Sequence, residues 1–176
     1  MAITSRERAF RSVCGQFATG ITVLAIPHPD GAVHGMTANA FVSLSLRPLL
    51  VGVSLQATSY SHTLLSAPEA GPFSISVLNR HQQSIAQQFS GNGPMAEYTI
   101  WHHTPNGVPV IRGALAWLQC HVQDRVPTGD HFLYVGAVDD FSWSGDGADP
   151  LLFYGGSYYH GINEAGASVD WSLLEQ

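Results

Sequence analysis

The chain has 176 residues, a formal net charge of −6 and only 11% charged side chains against 45% hydrophobic ones. This describes one domain over residues 1–176 with an ample core, and the acidic balance excludes the basic face that nucleic-acid binding needs. Lysine is absent, and all seven fixed cations are arginines (Arg6, Arg8, Arg11, Arg47, Arg80, Arg112 and Arg125), which rules out a lysine Schiff base and a Walker-type phosphate loop.

A surface so poor in charge favours an oligomer that hides part of it. Cys14 and Cys120 show neither metal-ligand nor redox spacing and read as two buried free thiols. No apolar run reaches the length of a membrane span, and no apolar signal core follows the first arginines, so the chain reads as soluble and cytoplasmic.

In chain order, Thr4 and Glu7 form a capping-box pattern, and Ala9, Phe10, Val13 and Phe17 recur near helical spacing. Gly20 breaks that period. The β-branched run Ile21–Ile26, followed by Pro27-His28-Pro29-Asp30-Gly31, predicts a hairpin into 32–39. Leu49–Leu55 is almost wholly apolar, as in a strand covered on both faces. A short helix over 60–66, a strand over 73–78 and an amphipathic helix over 80–89 with Ile85 and Phe89 inward come next. Residues 91–113 are rich in turn formers, with Trp101 and Pro109 as anchors. Residues 114–123 and 132–141 read as long antiparallel strands joined by an Arg125–His131 loop, and a strand over 151–154 precedes a tail containing Trp171.

Few helices interrupt a largely antiparallel sheet, which favours a mainly β barrel with peripheral helices. No strand–Gly-x-Gly-x-x-Gly–helix unit is present, so a Rossmann site is not expected. Thr58, Ser59, Ser61 and Thr63 follow the buried-looking strand as a hydroxyl cluster. There an N-cap role and an anion-binding role are compatible, since backbone N–H groups converge at such a turn. His102-His103 lacks a third ligand at metal-like spacing, and Trp117, Trp143 and Phe89 read as core, with Phe89 able to border a ligand.

The segment Gly35-Met36-Thr37-Ala38-Asn39 through Thr63, together with the distant Gly129-Asp130-His131, closely resembles the short-chain flavin reductases. These are the split-barrel NAD(P)H:flavin oxidoreductases of two-component monooxygenases. Phe17-Ala18-Thr19-Gly20-Ile21-Thr22-Val23, Ile85–Gly91 and Gly113–Cys120 resemble further segments of that family, so the likeness covers nearly the whole chain. Two departures stand out: Ser45-Leu46-Arg47-Pro48-Leu49 in place of a Ser-x-x-Pro-Pro run, and Gly155 where an arginine often precedes Gly-x-Tyr.

The resemblance implies a split β-barrel homodimer with flavin near the subunit interface. By position, Met36, Thr37, Ala38 and Asn39 would line the isoalloxazine ring, with Phe89 at its border. Gln56, Thr58, Ser59, Ser61 and Thr63 would lie near the ribityl chain and phosphate. Gly129, Asp130 and His131 would face the nicotinamide, with Tyr158 as a further pocket contact. The implied activity is hydride transfer from NADH or NADPH to FMN or FAD, supplying reduced flavin to a monooxygenase. FMN is favoured slightly, and the scarcity of arginine for a 2′-phosphate favours NADH. Two other readings stay open: a non-catalytic flavin or deazaflavin carrier or sensor, and a flavoenzyme acting directly on a small organic substrate.

Overall fold

The computed structural model describes residues 3–28, 30–91, 100–145 and 147–162; Trp171 and Asp146 lie outside them. The helices are α1 (Ser5–Cys14), α2 (Tyr60–Ser66) and α3 (Gln83–Phe89). The strands are β1 (Thr19–Gly20), β2 (Thr22–Pro27), β3 (Val33–Ala38), β4 (Phe41–Leu46), β5 (Leu49–Gln56), β6 (Phe73–Val77), β7 (Trp101–His103), β8 (Pro109–Ile111), β9 (Ala116–Thr128), β10 (His131–Trp143), β11 (Leu151–Tyr154) and β12 (Ser157–His160).

Seven strands form one antiparallel sheet in the order β3-β2-β6-β9-β10-β5-β4. Its outermost strands, β3 and β4, are consecutive in the chain and joined only by Asn39 and Ala40. Three peptide steps reach about 11 Å, so the sheet has to curl until its two edges almost meet. No ladder joins β3 to β4, and the barrel stays split there. The mainly β split barrel expected from the sequence is the fold observed. A three-stranded sheet, β1-β11-β12, and the β7–β8 hairpin flank it.

Leu24, Val53, Leu55, Phe73, Ile75 and Tyr134 fill the barrel interior. Ile21, Val23, Leu78, Ile85, Ala86 and Leu151 form a second cluster, with Phe89 packed against it. Alternate residues of β2 thus enter different clusters, which is why Thr22–Ile26 is buried throughout and lacks a polar face. Ile85 faces inward as predicted. On α3, Phe89 covers Gly35 so closely that a Cβ there would meet the ring at 2.4 Å.

The structure corrects three expectations. The Arg125–His131 loop is almost absent: β9 and β10 run on to Thr128 and His131, leaving Gly129-Asp130 as a two-residue turn with Gly129 at φ +78°. Cys120 is buried, its thiol pushed up to about 12 by desolvation, but Cys14 is exposed. Trp143, read as core, stands 70% exposed at the far end of the β9–β10 hairpin.

The capping box of α1 forms as read, with Thr4 Oγ1 accepting from the Glu7 N–H at 3.2 Å and Glu7 accepting from the Thr4 N–H at 2.6 Å. Yet α1 buries none of its residues, and Phe10 and Val13 are 69% and 70% exposed. Its C-terminal end is held by the Gly155 N–H donating to Gly15 O at 2.9 Å and Tyr154 Oη donating to Gln16 Oε1 at 2.9 Å.

Candidate functional site

The two motifs read from the sequence, Gln56–Thr63 and Gly129–His131, meet at one end of the barrel. Gln56 pairs with His131 across the β5–β10 ladder, and the Ala57 N–H donates to Asp130 O at 2.9 Å. His131 Nδ1 lies 2.8 Å from Asp130 Oδ1; that hydrogen bond, and then the imidazole's charge, hold the Asp130 carboxyl below its ordinary value.

The hydroxyl cluster is largely committed within the protein. Ser59 caps α2, its Oγ accepting from the His62 N–H at 3.1 Å. Ser61 is buried, 2.9 Å from His34 Nε2 and donating to Met36 Sδ at 3.3 Å, while burial holds His34 below its ordinary value. Thr63 Oγ1 makes a long bond to Ser59 O at 3.5 Å. Thr58 is exposed beside them.

On β3, Thr37 Oγ1 donates to Ala86 O at 2.7 Å, tying the strand to α3. Ala38 is buried, and its carbonyl accepts from Thr22 Oγ1 at 2.7 Å. These side chains anchor the strand, and the outer edge of β3 has no ladder partner. Phe89 packs on Trp101 at 5.4 Å, and Tyr158 packs on Phe153 at 5.4 Å behind the β11–β12 turn.

A cavity of about 1060 Å³ opens between α1, the β3–β4 link, β5, β10 and the β11–β12 turn. Of the residues predicted for the site, only Asn39 lines it. Ala40, Phe41, Val42, Ser54 and Leu133 supply the barrel wall, and Phe153, Gly155 and Gly156 line it from the β11–β12 hairpin. Thr19 adds a hydroxyl whose oxygen is enclosed and has no hydrogen-bond partner among the described residues.

Strand periodicity joins the cavity to the motif end. Ser54 pairs with Leu133, and two residues along the same ladder Gln56 pairs with His131. Side chains two apart share a face, so Ser54, Gln56, Leu133 and His131 all project to the outer side, about 7 Å from one pair to the next. The intervening Leu55, Phe132 and Tyr134 belong to the barrel core. One continuous surface therefore runs from Asn39 and Ser54 to the Gly129-Asp130 turn.

The cavity's other wall was not anticipated. Arg8, Arg11, Ser12 and Gly15 of the α1 segment all line it, at the i, i+3, i+4, i+7 spacing of one helix face. Glu7, at the start of this helix, lies close enough to Asp130 to feel its charge. The helix therefore bridges the cavity from the β9–β10 turn to the β11–β12 turn. The stripe follows from the helical period itself, whereas the period does not specify which face meets the domain. Cys14 also lines the cavity. A maleimide is expected to label Cys14 and leave buried Cys120 untouched in the native protein. Intact-mass analysis checks the expectation, and equal labelling of both thiols contradicts it.

Comparison with known proteins agrees with this geometry. A family model described as a flavin reductase like domain matches residues 14–161. An NADH-dependent flavin reductase of Rhodococcus sp is 40% identical over 152 residues, covering 84% of this chain and 82% of that protein. The reductase subunit HsaB of a flavin-dependent monooxygenase from Mycobacterium tuberculosis is 39% identical over 153 residues, covering 86% and 80%. Among solved structures, the styrene monooxygenase flavin reductase of Pseudomonas putida S12 superposes with a TM-score of 0.78 at 35% identity, covering 88% of this chain and 99% of that one. With the family model matching most of its length, the chain belongs to the flavin reductase like domain family.

Proposed function

We propose that the chain is an NADH-dependent flavin reductase that holds its flavin along the outer face of β5 and β10, acts as a homodimer, and supplies reduced flavin to a monooxygenase. The observation that carries this reading is the unbroken surface from Asn39 and Ser54 to Gln56 and His131, which joins the cavity to the two motifs. Its relatives include NADH-dependent flavin reductases and monooxygenase reductase subunits.

The site suits a flavin on three counts. The cavity is apolar along Phe41, Val42 and Leu133, as a flat ring system requires, and large enough to hold a second ring system beside it. The free edge of β3 leaves backbone donors and acceptors for the polar rim of the ring. Thr19 offers an enclosed hydroxyl with no partner among the described residues.

When bound, the two nucleotides supply the chemistry, a hydride passed from a nicotinamide ring to a flavin ring. The protein's part is to stack them and to offer donors where negative charge develops. Asn39 and the β3 edge are placed to meet the ring. Gln56 and Thr58 lie towards the ribityl and phosphate end. Asp130 fixes the ring of His131, which faces the nicotinamide. No side chain takes a covalent role, so substitutions here act through binding and orientation.

The test is steady-state oxidation of NADH and NADPH in air, with FMN, FAD or riboflavin added separately. Flavin-dependent turnover with NADH preferred is expected, and FMN should serve at least as well as FAD. Silence in every combination, with flavin still bound, would replace the reductase by a non-catalytic carrier.

A further inference from the structure

The polar stripe of α1 poses a physical question. A surface helix ordinarily turns its apolar side to the domain and its charges to water. Here Arg8, Arg11 and Ser12 face the cavity while Phe10 and Val13 remain exposed. Two cations stand on the wall of a cavity that no described Asp or Glu lines, in a chain of net charge −6. Arg11 makes no ion pair or side-chain hydrogen bond among the described residues, and Arg8 donates only to the backbone oxygen of Ile3 at 3.0 Å. Both guanidinium groups retain free donors.

We propose that Arg8 and Arg11 form an anion subsite for a nucleotide phosphate, and so deepen the reductase reading on which this inference rests. The opposite wall carries the apolar side chains of Val42 and Leu133, so a ligand filling the cavity would pair a flat ring on one side with an anionic tail on the other. Guanidinium is the cation suited to phosphate, since its planar fork offers parallel N–H groups. The flavin phosphate is already read at the Thr58 hydroxyl cluster at the end of β5, on groups other than these two guanidiniums. The diphosphate of the nicotinamide dinucleotide is therefore the better-fitting source.

Equilibrium titration with NAD⁺, FMN and riboflavin tests the subsite without turnover. For Arg11→Gln the dissociation constant of NAD⁺ should rise about fivefold, the magnitude of one solvent-accessible ion pair. Arg8→Gln with Arg11→Gln should weaken it further, and the loss should shrink as salt is raised. Arg11→Lys, which keeps the charge and loses the fork, should fall between wild type and Arg11→Gln, and Arg47→Gln, a charge loss outside the cavity, should leave the affinity unchanged. If FMN weakens and NAD⁺ does not, the subsite stands and serves the flavin phosphate. Unchanged affinity for both nucleotides in the double variant overturns the proposal. Equal weakening of riboflavin, which carries no phosphate, overturns it too, because the helix itself would then have moved. Wild-type protein that binds both nucleotides but never oxidises NADH defeats the reductase reading and leaves the subsite intact.

Discussion

Ser54→Trp is expected to abolish tight flavin binding, raising the dissociation constant of FMN about 100-fold, or about 2.8 kcal/mol. Ser54 stands at the centre of the proposed surface: it lines the cavity, pairs with Leu133 and is two residues from Gln56 on the same face. Its backbone N–H donates to Ala40 O at 3.1 Å, beside the Asn39 link, so its position is fixed by main chain that the substitution does not touch. An indole projecting outward there fills the space that a stacked ring would need. Aromatic residues are favoured in strands, so stability should change by less than about 1 kcal/mol. Thermal unfolding separates the two effects. The Ser54→Thr variant, which keeps the hydroxyl and most of the space, should bind FMN within about threefold of wild type. Undiminished FMN affinity in a folded Ser54→Trp protein would move the flavin off this face.

The same face shows which parts of the molecule were readable in advance. Val53 and Leu55 alternate with Ser54 and Gln56, but the neighbouring apolar residues Leu49–Val51 obscured that period, and the run was read as covered on both sides. The β9–β10 hairpin was read too short for a related reason. Beyond Cys120 the strand leaves the core, its residues become largely exposed, and Asp124, Arg125 and Pro127 carry no apolar alternation to mark a ladder. The hydroxyl cluster after Gln56 is legible from its residues, but its meeting with Gly129-Asp130-His131 is legible only by family likeness, since strand pairing between residues 75 positions apart leaves no local signal. Met36, Thr37 and Ala38 belong to the right segment, yet their side chains serve packing and hydrogen bonds within the fold. What this segment can offer a ligand is its backbone edge, a property invisible to residue-type reasoning. The exposure of Cys14 has the same origin as the missed arginines: a capping box and a helical period specify a helix but not what it packs against.

That unpacked helix leads to the second large expectation. Phe10→Glu combined with Leu46→Glu should convert the proposed homodimer into a monomer, halving the mass seen by light scattering to the chain's 18.9 kDa. Phe10 and Val13 on α1, and Val42, Leu44 and Leu46 at alternate positions of β4, are all exposed, Leu46 to 78%. A single chain gains nothing from displaying these side chains. Burying them on a second copy would contribute about 25 cal/mol per Å² of apolar surface, and a stable interface of about 1,600 Å² in total needs such a central apolar set. β4 is also an edge strand, where exposed apolar side chains invite pairing unless something covers them. Two buried glutamates would each have to be neutralised or desolvated, which disfavours association by several kcal/mol. The consequence for function follows from location: Val42 lines the cavity and α1 forms its other wall, so a second copy resting on α1 and β4 would close the cavity's open side. Turnover should therefore fall with the dimer, and it should recover at protein concentrations high enough to restore association. A variant that stays dimeric places the interface elsewhere, whereas a fully active monomer shows that one chain builds the whole site.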